Sequence, residues 1–186
     1  MRAFIAFELP AEARDAIAQY QARLRGSDGF RRLAPKWVAA DLMHLTLRFL
    51  GDVTDAQAEA LAQFLKARTA SLAAIDTALV RLVAFPSQRR ARVLALELRA
   101  DPELIALASD VSTEATRHGS PGDSRDYVPH VTLARFRRPG ALPRDVESVA
   151  LPDQSWRLTH LALFSSSLGP AGPQYRVLHS CALPCD

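Results

Sequence analysis

Two of the five histidines open nearly the same tetrapeptide, His44-Leu45-Thr46-Leu47 and His130-Val131-Thr132-Leu133. In a β-strand, residues i and i+2 share a face and sit about 6.7 Å apart along the chain. Each histidine therefore points the same way as its threonine, while the apolar residues between them face a core. Two imidazoles and two hydroxyls meeting across a crevice make a metal-free acid–base site for a phosphate ester. Histidine ordinarily titrates at about 6.5, so one ring can accept a proton and the other donate one near neutral pH. The hydroxyls can donate to non-bridging phosphate oxygens. The same spacing also describes two buried strands that each carry a satisfied histidine. His118, His160 and His179 lack the pattern and read as surface or locally hydrogen-bonded side chains.

What must position these motifs is one large domain or two small lobes, 186 residues in all, long enough to bury a core without staples. No run of 18 or more apolar residues encodes a bilayer span. The segment Met1–Phe7 reaches Glu8 too soon for a signal peptide and reads as a strand of a cytoplasmic protein. Net charge is +3, and only Lys36 and Lys66 among the cations are lysines. Arginine suits phosphate because its planar fork donates two hydrogen bonds. Cys181 and Cys185 form a lone Cys-x3-Cys, which is no zinc site, and read as reduced, incidental thiols.

The hydrophobic pattern predicts a strand over 2–8, a helix over 11–25 opened by Pro10, and a Gly-Ser-Asp-Gly turn over 26–29. Trp37-Val38 is a short extended piece, and residues 41–50 carry the first motif up to Gly51. Thr54 and Gln57 form a capping box for a helix over 55–70. Strands over 75–85 and 92–98 flank the basic loop 86–90, and Asp101 caps a helix over 102–118. The loop 118–129 delivers the chain to the second motif strand, 130–136, with 137–140 as another loop. Strands near 156–165 and 174–182 flank a Gly/Pro turn. This order predicts an α+β protein in which two antiparallel sheets each carry one motif, their active faces walling a cleft, with helices on the outer faces.

The order and spacing of these segments resemble the two-histidine (2H) phosphoesterases, and within them the bacterial and archaeal 2′–5′ RNA ligase-like family of RNA 2′,3′-cyclic phosphodiesterases. The opening strand Arg2–Pro10, the run from Trp37 through His44-Leu45-Thr46-Leu47-Arg48-Phe49-Leu50-Gly51, the strand Arg92-Val93-Leu94, the segment Pro129-His130-Val131-Thr132-Leu133-Ala134-Arg135 and Gly172-Pro173-Gln174-Tyr175 carry the resemblance. Ser165-Ser166-Ser167 departs from it, where a more acidic or varied segment is expected.

The resemblance implies a single bilobal, pseudo-twofold domain over 1–186 and hydrolysis of terminal 2′,3′-cyclic phosphates to 2′-phosphates without metal or cofactor. It implies RNA or oligonucleotide ends, and small cyclic nucleotides, as partners of a monomer. By this analogy His130 is the base for water, His44 the acid for the leaving 3′ oxygen, Thr46 and Thr132 hold the phosphate, and Arg135 meets it. Simple alternation argues otherwise for Arg135, which should share a face with Val131 and Leu133 unless the strand bends. Tyr175 and Phe49 are candidates for touching a base, with core packing the stronger reading of Phe49. Arg89, Arg90 and Arg92 fit an RNA backbone and a solvated loop equally well. A 2′–5′ RNA ligase and a nucleotide-binding module without turnover remain the competing functions.

Overall fold

The computed structural model describes residues 1–122, 126–143, 146, 149–170 and 172–184. In order they form β1 (Arg2–Glu8), α1 (Ala11–Gly26), α2 (Asp28–Leu33), β2 (Lys36–Trp37), β3 (His44–Asp52), α3 (Asp55–Thr69), β4 (Ile75–Phe85), β5 (Ala91–Leu98), α4 (Pro102–Arg117), β6 (His130–Gly140), β7 (Ser155–Leu158), β8 (His160–Gly169) and β9 (Gly172–Ala182). The strands pair in the order β7-β4-β5-β6-β3-β1-β8-β9, with β2 added to β6. The two halves expected as separate sheets are joined in this path by a single antiparallel residue pair, Leu45↔Val131, between the two motif strands.

Local sequence explains most of the helix starts. The Thr54 hydroxyl accepts from the Gln57 N–H while the Gln57 side chain accepts from the Thr54 N–H, so both orphan donors at the start of α3 are satisfied. The Asp101 carboxylate accepts from the Glu103 N–H at the start of α4. Ile17, Tyr20 and Leu24 of α1, Leu61 and Leu65 of α3, and Leu104, Leu107 and Val111 of α4 join one buried cluster with Ile5, Phe7, Leu45, Leu94, Leu96 and Val131 of the strands. A second, small cluster of Phe4, Ala6, Ala162 and Phe164, with Tyr175 against it, lies apart from that core.

Three expectations change. The expected 26–29 turn is reduced to Ser27, which separates α1 from the short helix α2 and caps the start of α2 at Asp28. Residues 137–140 continue β6 rather than forming a loop. The stretch near 156–165 is two strands with different partners: β7 pairs with β4 and β8 with β1. Cys181 is buried as a free thiol, and Cys185 lies outside the described residues. Among the described residues no helix is long and apolar enough to cross a membrane.

Candidate active site

The two motif strands are local copies of each other. Over their first nine residues β3 and β6 show the same succession of buried and accessible positions. Each histidine is fixed in the same way. His44 Nδ1 lies 2.8 Å from the Leu42 carbonyl and His130 Nδ1 lies 2.7 Å from the Val128 carbonyl. A carbonyl only accepts, so Nδ1 carries the proton in both rings and Nε2 is the nitrogen left to gain or lose one. Each histidine also has a glutamate as its cross-strand neighbour, Glu8 for His44 and Glu97 for His130.

The single pair Leu45↔Val131 sets the relation between the motifs. Its apolar side chains face the core, so His44, Thr46, His130 and Thr132 share the opposite face on neighbouring strands. Neither threonine hydroxyl is hydrogen-bonded to another described residue. Both imidazoles are held below the ordinary histidine pKa. Burial is the largest cause for each, the backbone carbonyl at Nδ1 opposes it, and the Arg135 guanidinium pushes in the same direction as burial. His44 is further lowered by the charge of His130. The three groups therefore lie within electrostatic reach of one another.

Arg135 arrives there through a bulge. In β6, Thr132 opposes Ala95 and Ala134 opposes Leu94, leaving Leu133 as an extra residue. One extra residue exchanges the faces beyond it. Arg135 thereby joins His130 and Thr132, and the alternation argument against it does not hold. The same bulge occurs in β3, where Thr46 opposes Ala6 and Arg48 opposes Ile5, leaving Leu47 extra. There it brings Phe49 to the face of His44. Phe49 is 60% exposed, which overturns its reading as a core residue.

The surroundings of the two imidazoles differ. The Phe4 ring stacks on His44 with centroids 4.8 Å apart, and the Tyr175 ring meets His44 edge-on at 5.4 Å. Among the described residues His130 has one aromatic neighbour, Phe85, at 4.9 Å. Tyr175, a sequence candidate for touching a base, is thus beside His44. Arg89 and Arg90 are exposed in a short turn before β5, and Arg92 is exposed on β5. His118 pairs with Glu114, and His160 Nδ1 lies against the Thr159 hydroxyl.

Each motif's lead-in is fastened to the other motif's strand. Lys36 and Trp37, ahead of the first motif, pair with Arg135 and Ala134 of β6, and the Val38 N–H donates to the Leu133 carbonyl at 2.8 Å. The buried Gln21 amide donates to the carbonyls of both Val38 and Leu133. Reciprocally, ahead of the second motif, the Tyr127 hydroxyl donates to the Thr46 carbonyl at 3.0 Å and the Ser120 hydroxyl to the Leu50 carbonyl at 3.1 Å. The buried Arg48 guanidinium donates to the Pro121 carbonyl. Sequence reading missed Phe4, Phe85, Tyr127 and Gln21. Phe4 was hidden because β1 is buried on both faces, so alternation gives no sign of which side meets the site. Among the described residues no group of three or more His, Cys, Asp or Glu side chains is arranged to hold a metal ion.

Residues 9–170 match the 2′-5′ RNA ligase superfamily. The chain belongs to that superfamily. An RNA 2′,3′-cyclic phosphodiesterase of Escherichia coli K12 is 33% identical over 190 residues, covering 98% of this chain and 96% of the relative. One from Thermotoga maritima is 27% identical over 182 residues, covering 97% and 95%. The crystal structure of TT0787 of Thermus thermophilus superposes with a TM-score of 0.79 at 31% identity over 98% of each chain. That of E. coli LigT complexed with 3′-AMP gives 0.76 at 32% identity, covering 98% and 97%.

Proposed function

We propose that this protein is an RNA 2′,3′-cyclic phosphodiesterase that opens terminal cyclic phosphates to 2′-phosphates. The observation that carries the reading is the pair of imidazoles on adjoining strands, each tied at Nδ1 to a backbone carbonyl and each lowered in pKa by burial and, to a lesser degree, by Arg135. Phosphoryl transfer requires the attacking and leaving oxygens roughly in line, with charge spread over the non-bridging oxygens. Two imidazoles flanking one phosphorus meet the first need. Thr46, Thr132 and Arg135 on the same face meet the second.

The asymmetry of the site supports a direction. The leaving 3′ oxygen belongs to the nucleoside, so the general acid sits on the nucleoside's side. Phe4 and Tyr175 gather aromatic surface around His44, and nucleobases stack on such surface. His44 then donates from Nε2 to O3′ as the P–O3′ bond breaks. His130, on the far side, takes the proton of the attacking water at Nε2 as the new P–O bond forms. A 5′-hydroxyl in place of water would form a 2′–5′ linkage by the same step, with hydrolysis dominant in excess water.

The test is product analysis on 2′,3′-cyclic AMP. The wild-type protein yields 2′-AMP, in EDTA as in its absence, and His44→Ala and His130→Ala each lower kcat by about 10²–10⁴. Full activity in either variant overturns the two-histidine mechanism. Nucleotide affinity with no turnover over hours favours a binding module instead.

A further inference from the structure

We propose that the hollow between β1, the end of β3 and the tip of the β8–β9 hairpin binds the nucleobase one residue upstream of the cyclic phosphate end, making an oligonucleotide the preferred substrate over a mononucleotide. The inference rests on the function proposed above and specifies its substrate. The hollow measures about 260 Å³, and its walls include Arg2, Phe4, Phe49, Leu168, Pro173 and Tyr175.

Three observations point to a base. First, the walls expose unusual apolar surface, with Phe49 60% and Leu168 80% accessible. Adjoining apolar surface of this kind marks a binding site more often than a bare exterior. Phe49 is turned outward by the Leu47 bulge; in an unbulged strand it would share the core face of Leu45 and Leu47. Second, the hollow adjoins the imidazole site: Phe4 and Tyr175 line it and touch His44, while His44 itself is not among its walls. Phe4 stacks on His44 at 4.8 Å and meets Phe49 at 5.9 Å, and Tyr175 meets His44 edge-on while lining the hollow with Leu168 and Pro173 of the hairpin. The terminal nucleoside takes the near side of Tyr175, so the next residue of the strand reaches Phe49 and Leu168.

Third, cations flank a hollow whose remaining walls are apolar apart from Ser166. Arg2 lines it, and its guanidinium makes no hydrogen bond or ion pair with another described residue. Lys36 reaches the hairpin tip from the strand paired with Arg135, and a Cβ added at Gly172 would stand 3.7 Å from its Nζ. A flat apolar wall with cations at its rim matches a base and the phosphate joining it to its neighbour.

The experiment compares kcat/KM for 2′,3′-cyclic AMP and for the dinucleotide ApA bearing a 2′,3′-cyclic phosphate, using wild-type protein, Phe49→Ala and Leu168→Ser. The wild type is expected to favour the dinucleotide. Each variant is expected to raise KM for the dinucleotide about tenfold or more, with the mononucleotide values unchanged. Equal losses on both substrates would place the terminal base in the hollow and overturn the proposal, as would no loss on either. Equilibrium binding of ApA 2′-phosphate gives a readout independent of turnover. It is expected to weaken in Phe49→Ala, and unchanged binding overturns the subsite. Failure of the parent function looks different: His130→Ala would then hydrolyse cyclic AMP as fast as the wild type.

Discussion

Replacing Tyr127 with phenylalanine removes a single oxygen and tests whether the loop ahead of the second motif holds the first motif in place. The phenol donates to the Thr46 carbonyl at 3.0 Å, and its ring packs against the main core. Burial pushes its pKa upward, so the hydroxyl stays a proton donor at any working pH. In Tyr127→Phe the partly buried Thr46 carbonyl loses that donor. Leaving a buried acceptor unsatisfied costs about 1–3 kcal/mol, more than the ~1 kcal/mol net worth of an average hydrogen bond. For a chain of this length each kcal/mol moves Tm by about 2–4 °C, so Tm should fall by about 2–12 °C. Because β3 and β6 share one residue pair, the bond also fixes where Thr46 stands relative to His130. Turnover should therefore drop in kcat more than it rises in KM. Calorimetry and steady-state kinetics on a cyclic nucleotide read both effects. Unchanged Tm together with unchanged kcat would refute the idea that Tyr127 clasps the two motifs.

Further expectations concern charge, hydroxyls and a cap. Arg135 lowers the pKa of both histidines, so Arg135→Gln should raise both. The base must be neutral and the acid charged, so both limbs of the kcat/KM profile should move to higher pH, while the peak rate falls; an unmoved profile counts against this electrostatic reading. In the unaltered protein both pKa values lie below about 6.5, so kcat/KM should decline as pH rises through neutrality. Thr46→Val and Thr132→Val keep shape and lose a donor to a charged phosphate, and each should cost about ten- to a hundredfold in kcat/KM with little change in Tm. Thr54→Ala removes one half of the capping box of α3 and should destabilise the protein by about 0.5–2 kcal/mol in urea denaturation, leaving turnover intact.

Alternation within one strand, capping boxes and motif spacing are local rules, and they sufficed for the residues they govern. His44 with Thr46 and His130 with Thr132 share a face because two-residue spacing in a strand demands it. Thr54, Gln57 and Asp101 cap helices because they stand where unpaired N–H groups need acceptors. The α+β class followed from the order of such elements. Pairing between distant segments decided the rest. A bulge is a property of two strands at once, so nothing within residues 130–136 announces that Leu133 is extra and that Arg135 therefore turns toward His130. The same holds for Phe49 beyond Leu47. The contact of Phe4 with His44, the union of the two halves at Leu45↔Val131 and the reach of Tyr127 to Thr46 each join residues distant in sequence. The chain by itself determined which groups could do acid–base chemistry. Only the register of its strands decided that they share one face, because register is set by burial on both partners and not by either segment alone.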